Sequence, residues 1–307
     1  LMARLLEGKV ALVTGSGHGI GRGHALELAK HGAAVIVNDL GSNASGEGHG
    51  RDADVVVKII EARGGRAAAN YGDVSDEAQS AAMVQQAIDT FGKIDIVVNN
   101  AGIVRDKAIW NMGADDFDLV MKVHVRGTWL VCRSAAQHWR ERAKNGESNV
   151  GGRIINTTSG AGLLGNFGQT NYATAKAAIV GMTQTLNLEL GRLGVTCNVI
   201  SPGGVTRISA TMMPDVVVRE PDEIPADEFD KLDPSLCCPV VAWLASDEAS
   251  YISGQVIRAI RDGIHLMGGW HEAVTVSSGD QRWDATKLGE LFATKIFKTK
   301  APGLNLG

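Results

Sequence analysis

Short apolar runs alternate with amphipathic stretches along most of this chain. Residues 9–14 and 34–38 are dominated by Val, Ile, Leu and Ala, too short for stable helices and rich in β-branched side chains. They predict strands. Further short strands are expected at 66–70, 94–99, 153–158, 195–200 and 255–259. Between them the residue pattern predicts helices over 21–30, 52–63, 76–91, 172–193 and 234–244. The stretch 114–141 reads as two helices or one long bent helix. Gly64 and Gly65 close the second helix; Asp76 or Ser75 caps the third, and Gly92 ends it.

Strands alternating with helices at this spacing predict an α/β fold. It is a single-domain, Rossmann-like, doubly wound parallel sheet of about seven strands with helices on both faces. No linker divides it, so one domain is expected over residues 1–262. Residues 204–233 form a long, proline-punctuated segment after the sixth strand. Ligands in such sheets sit beyond the carboxyl ends of the strands, which makes this segment a substrate lid. Residues 144–151 read as a polar surface insertion. Residues 263–307 have weak periodicity and form a C-terminal extension, read as an oligomer contact or a mobile tail.

Composition narrows the partners. The 34 acidic and 30 basic residues leave a formal charge of -4 and no broad positive field, so nucleic acid is not expected. No apolar run approaches the ~20 residues of a membrane span, and no secretory leader is read, so a cytoplasmic protein is expected. Cys132, Cys197, Cys237 and Cys238 lack metal-ligand spacing with any His, and His31, His49, His265 and His271 do not converge by spacing. Buried thiols in a reducing compartment, and no metal, are expected. The tryptophans Trp110, Trp129, Trp139, Trp243, Trp270 and Trp283 are assigned to core or interface.

The chain's 38 glycines cluster at 15–23, 41–50, 151–168 and 203–204, a pattern of tight turns beside a ligand. Gly15, Ser16, Gly17, His18, Gly19 and Ile20 follow a strand and open a helix, whose amino end can face a pyrophosphate. Asp39 ends the second strand, where its carboxylate can accept hydrogen bonds from both ribose hydroxyls of NAD. A 2′-phosphate would meet like charge there unless His18, Arg22 or Arg51 offset it, so NADP is disfavoured. Asp73 and Val74, with Asn100, Ala101 and Gly102, mark the carboxyl edge of the same sheet and can line the adenine and ribose side.

Tyr172 and Lys176 stand four residues apart on one helix, hence on one face. The ammonium can lower the phenol's pKa for proton transfer, and Ser159 lies shortly before them. Such a trio can move a proton between an alcohol and a carbonyl. Taken alone, the pair is equally a surface contact.

In this order the glycine turn, the N-N-A-G run at 99–102, Ser159, Tyr172, Lys176 and the Pro202-Gly203 step resemble the short-chain dehydrogenase/reductase family over about residues 5–262. Residues 37–41, 98–106, 123–127 and 165–169 are similar to its (3R)-hydroxyacyl-CoA dehydrogenase branch, found in peroxisomal multifunctional enzymes of type 2. The resemblance implies NAD as cofactor and Tyr172 as the proton acceptor. It implies Lys176 as its electrostatic partner and a contact to the nicotinamide ribose, and Ser159 as the group on the substrate oxygen. Pro202, Gly203, Val205 and Thr206 would hold the nicotinamide side. His124 stands where the wider family places an Asn; it either holds a relay water or packs structurally.

The implied substrate is a small-molecule alcohol or ketone. The first choice is a (3R)-3-hydroxyacyl-CoA thioester with a fatty or steroid side chain. A free 17-hydroxysteroid, a xenobiotic alcohol and a non-catalytic NAD scaffold are the alternatives. Met212, Met213, Val216, Val217 and Val218 are candidates for an apolar wall, and Arg105, Lys107 and Arg207 for CoA phosphates. A homodimer or homotetramer is expected through the helix faces at 114–140 and 172–193.

Overall fold

The strands are β1 (Val10–Thr14), β2 (Ala34–Asn38), β3 (Arg66–Asn70), β4 (Ile96–Asn99), β5 (Arg153–Thr157), β6 (Thr196–Pro202), β7 (Val256–Ile260) and β8 (Gly263–Leu266). The computed structural model describes residues 4–211, 213, 215–225, 227–270, 272, 274–279 and 282–296. Met212, His271 and residues 297–307 of the expected extension lie outside the described residues. The sheet order is β3-β2-β1-β4-β5-β6-β7-β8. The chain reverses direction across the sheet between β1 and β4, and a crevice opens at their carboxyl ends.

The expected doubly wound sheet is present, with eight strands where about seven were expected; β1 to β7 are parallel, and the added edge strand β8 pairs antiparallel to β7. Arg261 takes a positive φ of 53° in the turn between them. This strand falls within residues 263–307. Its edge position leaves Ile264 and Leu266 exposed, so no buried apolar pattern marks it.

Alternation along each strand sorts the core into two layers. Ala11, Val13, Val35 and Val37 pack against α1 (Gly19–Lys30), α2 (Asp52–Ala62) and the later α9 (Cys238–Leu244). Val10, Leu12, Ala34 and Ile36 face α3 (Glu77–Phe91), the later α5 (Gly127–Lys144) and α7 (Thr170–Leu190). Burial on both faces explains why β1 and β2 are apolar up to their last residues, Thr14 and Asn38. The Asp76 side chain accepts the Gln79 amide at the start of α3, and Gly92 ends it with a φ of 86°.

The region read as two helices or one bent one is continuous. Helix α4 (Ala114–Met121) runs through a π-helical turn, Lys122–Arg126, into α5. Such turns re-aim side chains within a helix, and this one carries His124. Trp139 is fully buried and donates its indole N–H to the Ile94 carbonyl. Trp110, Trp129, Trp270 and Trp283 are exposed on this chain.

Candidate active site

The glycine turn is latched to the neighbouring strand. Thr14 Oγ1 accepts the amide protons of Asn100 and Ala101 at 3.1 Å each, and Asn100 Nδ2 donates to the Gly15 carbonyl at 2.8 Å. Gly15 has a φ of 61°, and a Cβ there would stand 2.6 Å from Ala101 Cα. A side chain cannot occupy that position, so the backbone of the turn stays open to a ligand. A cavity of about 490 Å³ runs along the carboxyl edge from this turn to Tyr172.

Asp39 lies at the cavity's nucleotide end. Its two carboxylate oxygens accept the amides of Gly17 and Gly41, both at 2.7 Å. The three cations that could have offset its charge are held by other carboxylates. His18 contacts Glu220 and Asp52, Arg22 donates to Asp222 at 2.6 Å, and Arg51 donates to Asp54 at 2.7 Å.

Glu220, reaching back from residues 204–233, was not legible in the sequence. One oxygen accepts the Gly19 amide at 2.7 Å at the amino end of α1, and the other lies 2.6 Å from His18 Nδ1. That position suits an anion, because amide protons and the helix dipole both point at it. The Glu220 hydrogen bond raises the pKa of His18 above its ordinary value against the opposing effect of burial. Burial pushes Glu220 up, but bonds from His18 and Gly19 outweigh it and leave the carboxyl below the usual range.

At the other end, α7 carries Tyr172 and Lys176 on one face, with Lys176 Nζ 5.5 Å from the phenol ring centre. Lys176 is 3% exposed and donates to the Thr157 carbonyl at 2.9 Å, while Thr158 Oγ1 donates to the Lys176 carbonyl at 2.7 Å. Ser159 follows β5, accepts the Ala161 amide at the start of α6 (Gly160–Leu164), and hydrogen-bonds Tyr172. Behind them Asn99 Nδ2 donates to Asn156 Oδ1 at 2.8 Å, and Asn156 Nδ2 donates to Thr183 Oγ1 at 2.9 Å. This buried relay fixes the strand ends that present Ser159.

The electrostatics differ from the expectation that Lys176 draws the phenol down. Burial pushes Tyr172 up to about 12, against the lowering effect of the Ser159 hydrogen bond. Burial also brings Lys176 down to about 7. Desolvation penalises the charged form of each group, and it is the largest cause at both.

His124 packs edge-to-face on Tyr172 with ring centres 5.2 Å apart. Its Nε2 lies 2.8 Å from the Ile103 carbonyl, and Nδ1 is buried with no hydrogen-bond partner. A Cβ on Gly102 would stand 2.3 Å from the ring, so Gly102 is what admits the histidine. Burial, with repulsion from Lys176, lowers its pKa to about 3. The ring is neutral at ordinary pH, and Ile103 engages its Nε2 through both backbone groups, the carbonyl at 2.8 Å and the amide nitrogen at 3.1 Å.

Most expected site residues converge. Gly15, His18, Gly19, Ile20, Asp39, Asp73, Val74, Asn100, Ala101, Gly102, His124, Ser159, Tyr172, Lys176, Pro202, Gly203 and Thr206 all line the cavity. Ser16 does not; its hydroxyl donates to the Val13 carbonyl from a fully buried position. Gly17 stands behind the wall, where it binds Asp39. Val205 is buried, with its amide donating to Leu232. Among the described residues of the proposed apolar wall, only Val218 lines the cavity, Met213 and Val217 being exposed. Ile208, Leu119, Val104 and Ile260 supply apolar lining that went unread. Of the three cations, Arg207 lines the cavity, whereas Arg105 and Lys107 converge on Asp116.

A family model described as short chain dehydrogenase matches residues 9–215. The chain is 41% identical over 287 residues to the hydroxyacyl-CoA dehydrogenase ChsB1 of Mycobacterium tuberculosis, covering 92% of this chain and 87% of that protein. It is 40% identical over 249 residues to the peroxisomal multifunctional enzyme type 2 of Mus musculus, covering 81% of this chain but 31% of that longer protein. A crystal structure of a short chain dehydrogenase from Mycobacterium avium superposes with a TM-score of 0.85 at 40% identity, over 99% of this chain and 100% of that one.

Proposed function

Because this chain belongs to the short-chain dehydrogenase family, and is thus an oxidoreductase acting on CH–OH groups, we propose that it reversibly oxidises a (3R)-3-hydroxyacyl-CoA to the ketone with NAD. The acyl group carries a fatty or steroid side chain. The observation that carries the reading is that Ser159, Tyr172 and Lys176 line the same cavity as Asp39 and the glycine turn. The similarity to a hydroxyacyl-CoA dehydrogenase over nearly the whole chain supports the substrate class.

The residues present fit a nicotinamide dinucleotide. Gly15 makes a cradle that a Cβ would fill, and the amino end of α1 already holds an anion, the Glu220 carboxylate. Asp39 would hold the ribose hydroxyls. The pairing of His18, Arg22 and Arg51 to carboxylates supports NAD over its 2′-phosphorylated form. Pro202, Gly203 and Thr206 would hold the nicotinamide end. Bound there, NAD would supply the hydride acceptor that oxidation of the alcohol requires, and its reduced form the hydride donor for the reverse reaction.

The chain's own groups handle the proton. Tyr172 Oη takes the hydroxyl proton as the alcohol becomes a ketone and gives it back in reduction. Ser159 donates to the substrate oxygen and steadies the charge that develops on it. Lys176 holds positive charge beside the phenolate. His124 holds, through a ring nitrogen, a water that passes the proton onward. Arg207 meets the CoA phosphates.

A homodimer or homotetramer through the faces of α5 and α7 completes the reading, supported by the exposed Trp129 and Leu188 on those helices. No helix among the described residues is long and apolar enough to cross a membrane, and the described cysteines are free and buried. Both are compatible with a cytoplasmic site of action. NAD reduction by the purified protein across (3R)- and (3S)-3-hydroxyacyl-CoAs and free 17-hydroxysteroids tests the substrate. Preference for a (3R) thioester is expected. Turnover of free steroid alone would replace the reading.

A further inference from the structure

Behind the glycine turn, α1 packs on α9. Gly23 makes that contact close, since a Cβ there would stand 2.8 Å from Cys238 Sγ. One residue on, His24 points into the same seam. His24, Cys237 and Cys238 are at most 1% exposed, and their ligand atoms all lie within 4.8 Å of one another. Neither ring nitrogen of His24 has a hydrogen-bond partner. A buried imidazole with two unpartnered nitrogens is costly, and native interiors rarely leave such groups unpaired. The thiols do not relieve it: Cys237 Sγ faces the Pro234 carbonyl at 3.6 Å and Cys238 Sγ the Ile20 carbonyl at 3.8 Å.

We infer that His24, Cys237 and Cys238 bind a divalent thiophilic d10 ion of the zinc class, which bolts α1 to α9. The donor set is one imidazole nitrogen and two sulfurs. Bond lengths of about 2.0–2.1 Å to nitrogen and 2.3 Å to sulfur place such ligands ~4 Å apart around the ion. The observed cluster needs only a small contraction to reach that. Charge favours a divalent ion: two thiolates and a neutral imidazole give an uncharged complex, which a dry seam tolerates. Binding forms two metal–sulfur bonds and one metal–nitrogen bond, and releases the two thiol protons to buffer with no change in oxidation state. Spacing along the chain gave no sign of the set, because His24 and Cys237 are brought together only by the packing of α1 on α9.

The site lies apart from the catalytic cavity, so its test is independent of the proposed reaction. Untagged protein, purified without chelator, is dialysed against zinc and its metal content measured. One zinc per chain and a rise in thermal midpoint are expected for the unmodified protein. Cys237→Ala/Cys238→Ala and His24→Phe should each lose that equivalent. Should these variants fold poorly, cobalt substitution of the unmodified protein decides: thiolate-to-cobalt charge-transfer absorption at one cobalt per chain is expected. Absence of that absorption, or one-to-one zinc uptake retained in folded variants, would overturn the site.

Discussion

The Glu220 carboxylate accepts the Gly19 amide at 2.7 Å, which places a negative charge from the far side of the chain on the amino end of α1. In the proposed reaction the cofactor's pyrophosphate needs that end, so Glu220 competes with it. Glu220→Gln keeps an acceptor and removes the charge. The contact of a charge with a helix end is worth about 0.3–1 kcal/mol, so NAD should bind roughly two- to fivefold more tightly. Calorimetric titration checks this, and weaker binding would mean that Glu220 organises the site instead.

Ser159 hydrogen-bonds Tyr172 and stands at the carboxyl end of β5. Losing one such donor to a developing oxyanion costs roughly 10²–10³ in rate. Ser159→Ala should lower kcat by that much and leave the dissociation constant of NAD unchanged. A variant that loses cofactor binding instead would make Ser159 structural.

Tyr172 near 12 and Lys176 near 7 define a pair that gives up its first proton near pH 7. The remaining proton can reside on either member, and the form with a phenolate and an ammonium is the base that oxidation needs. Oxidation should therefore rise through about pH 7, and reduction should fall over the same window. Lys176→Met removes the inflection near 7, so the oxidation profile should shift toward the phenol's own high value. An inflection that stays near 7 in that variant belongs to another group.

His124 also leaves a mark on stability. Its pKa falls from 6.5 to about 3 on burial, so between those values the unfolded chain binds more protons than the native one. Stability contributed by the neutral ring is present above 6.5 and is lost as pH falls, by roughly 1.4 kcal/mol per unit. His124→Asn should flatten the acid limb measured by urea unfolding. An unchanged slope would place the titration elsewhere.

Local pattern carried much of this molecule. The β1 and β2 runs, the Asp76 cap and Gly92 stop of α3, and the Tyr172–Lys176 face all rest on neighbours in sequence. The unread features depend on distant contacts. The π-helical turn at 122–126 sits inside an ordinary helical sequence, and β8 is an edge strand with no buried face to pattern it. Glu220 reaches Gly19 across some two hundred residues, and Arg105 and Lys107 are drawn to Asp116 rather than into the cavity. Burial also reversed the expected direction at Tyr172. A sequence gives the spacing of a phenol and an ammonium, but not the dielectric around them.

The most direct test is NAD reduction with a (3R)-3-hydroxyacyl-CoA by the unmodified protein and by Tyr172→Phe, with NAD binding followed in both. The account predicts turnover in the first, its loss in the second, and equal NAD affinity. Turnover that survives Tyr172→Phe would contradict the assignment of the proton to this phenol.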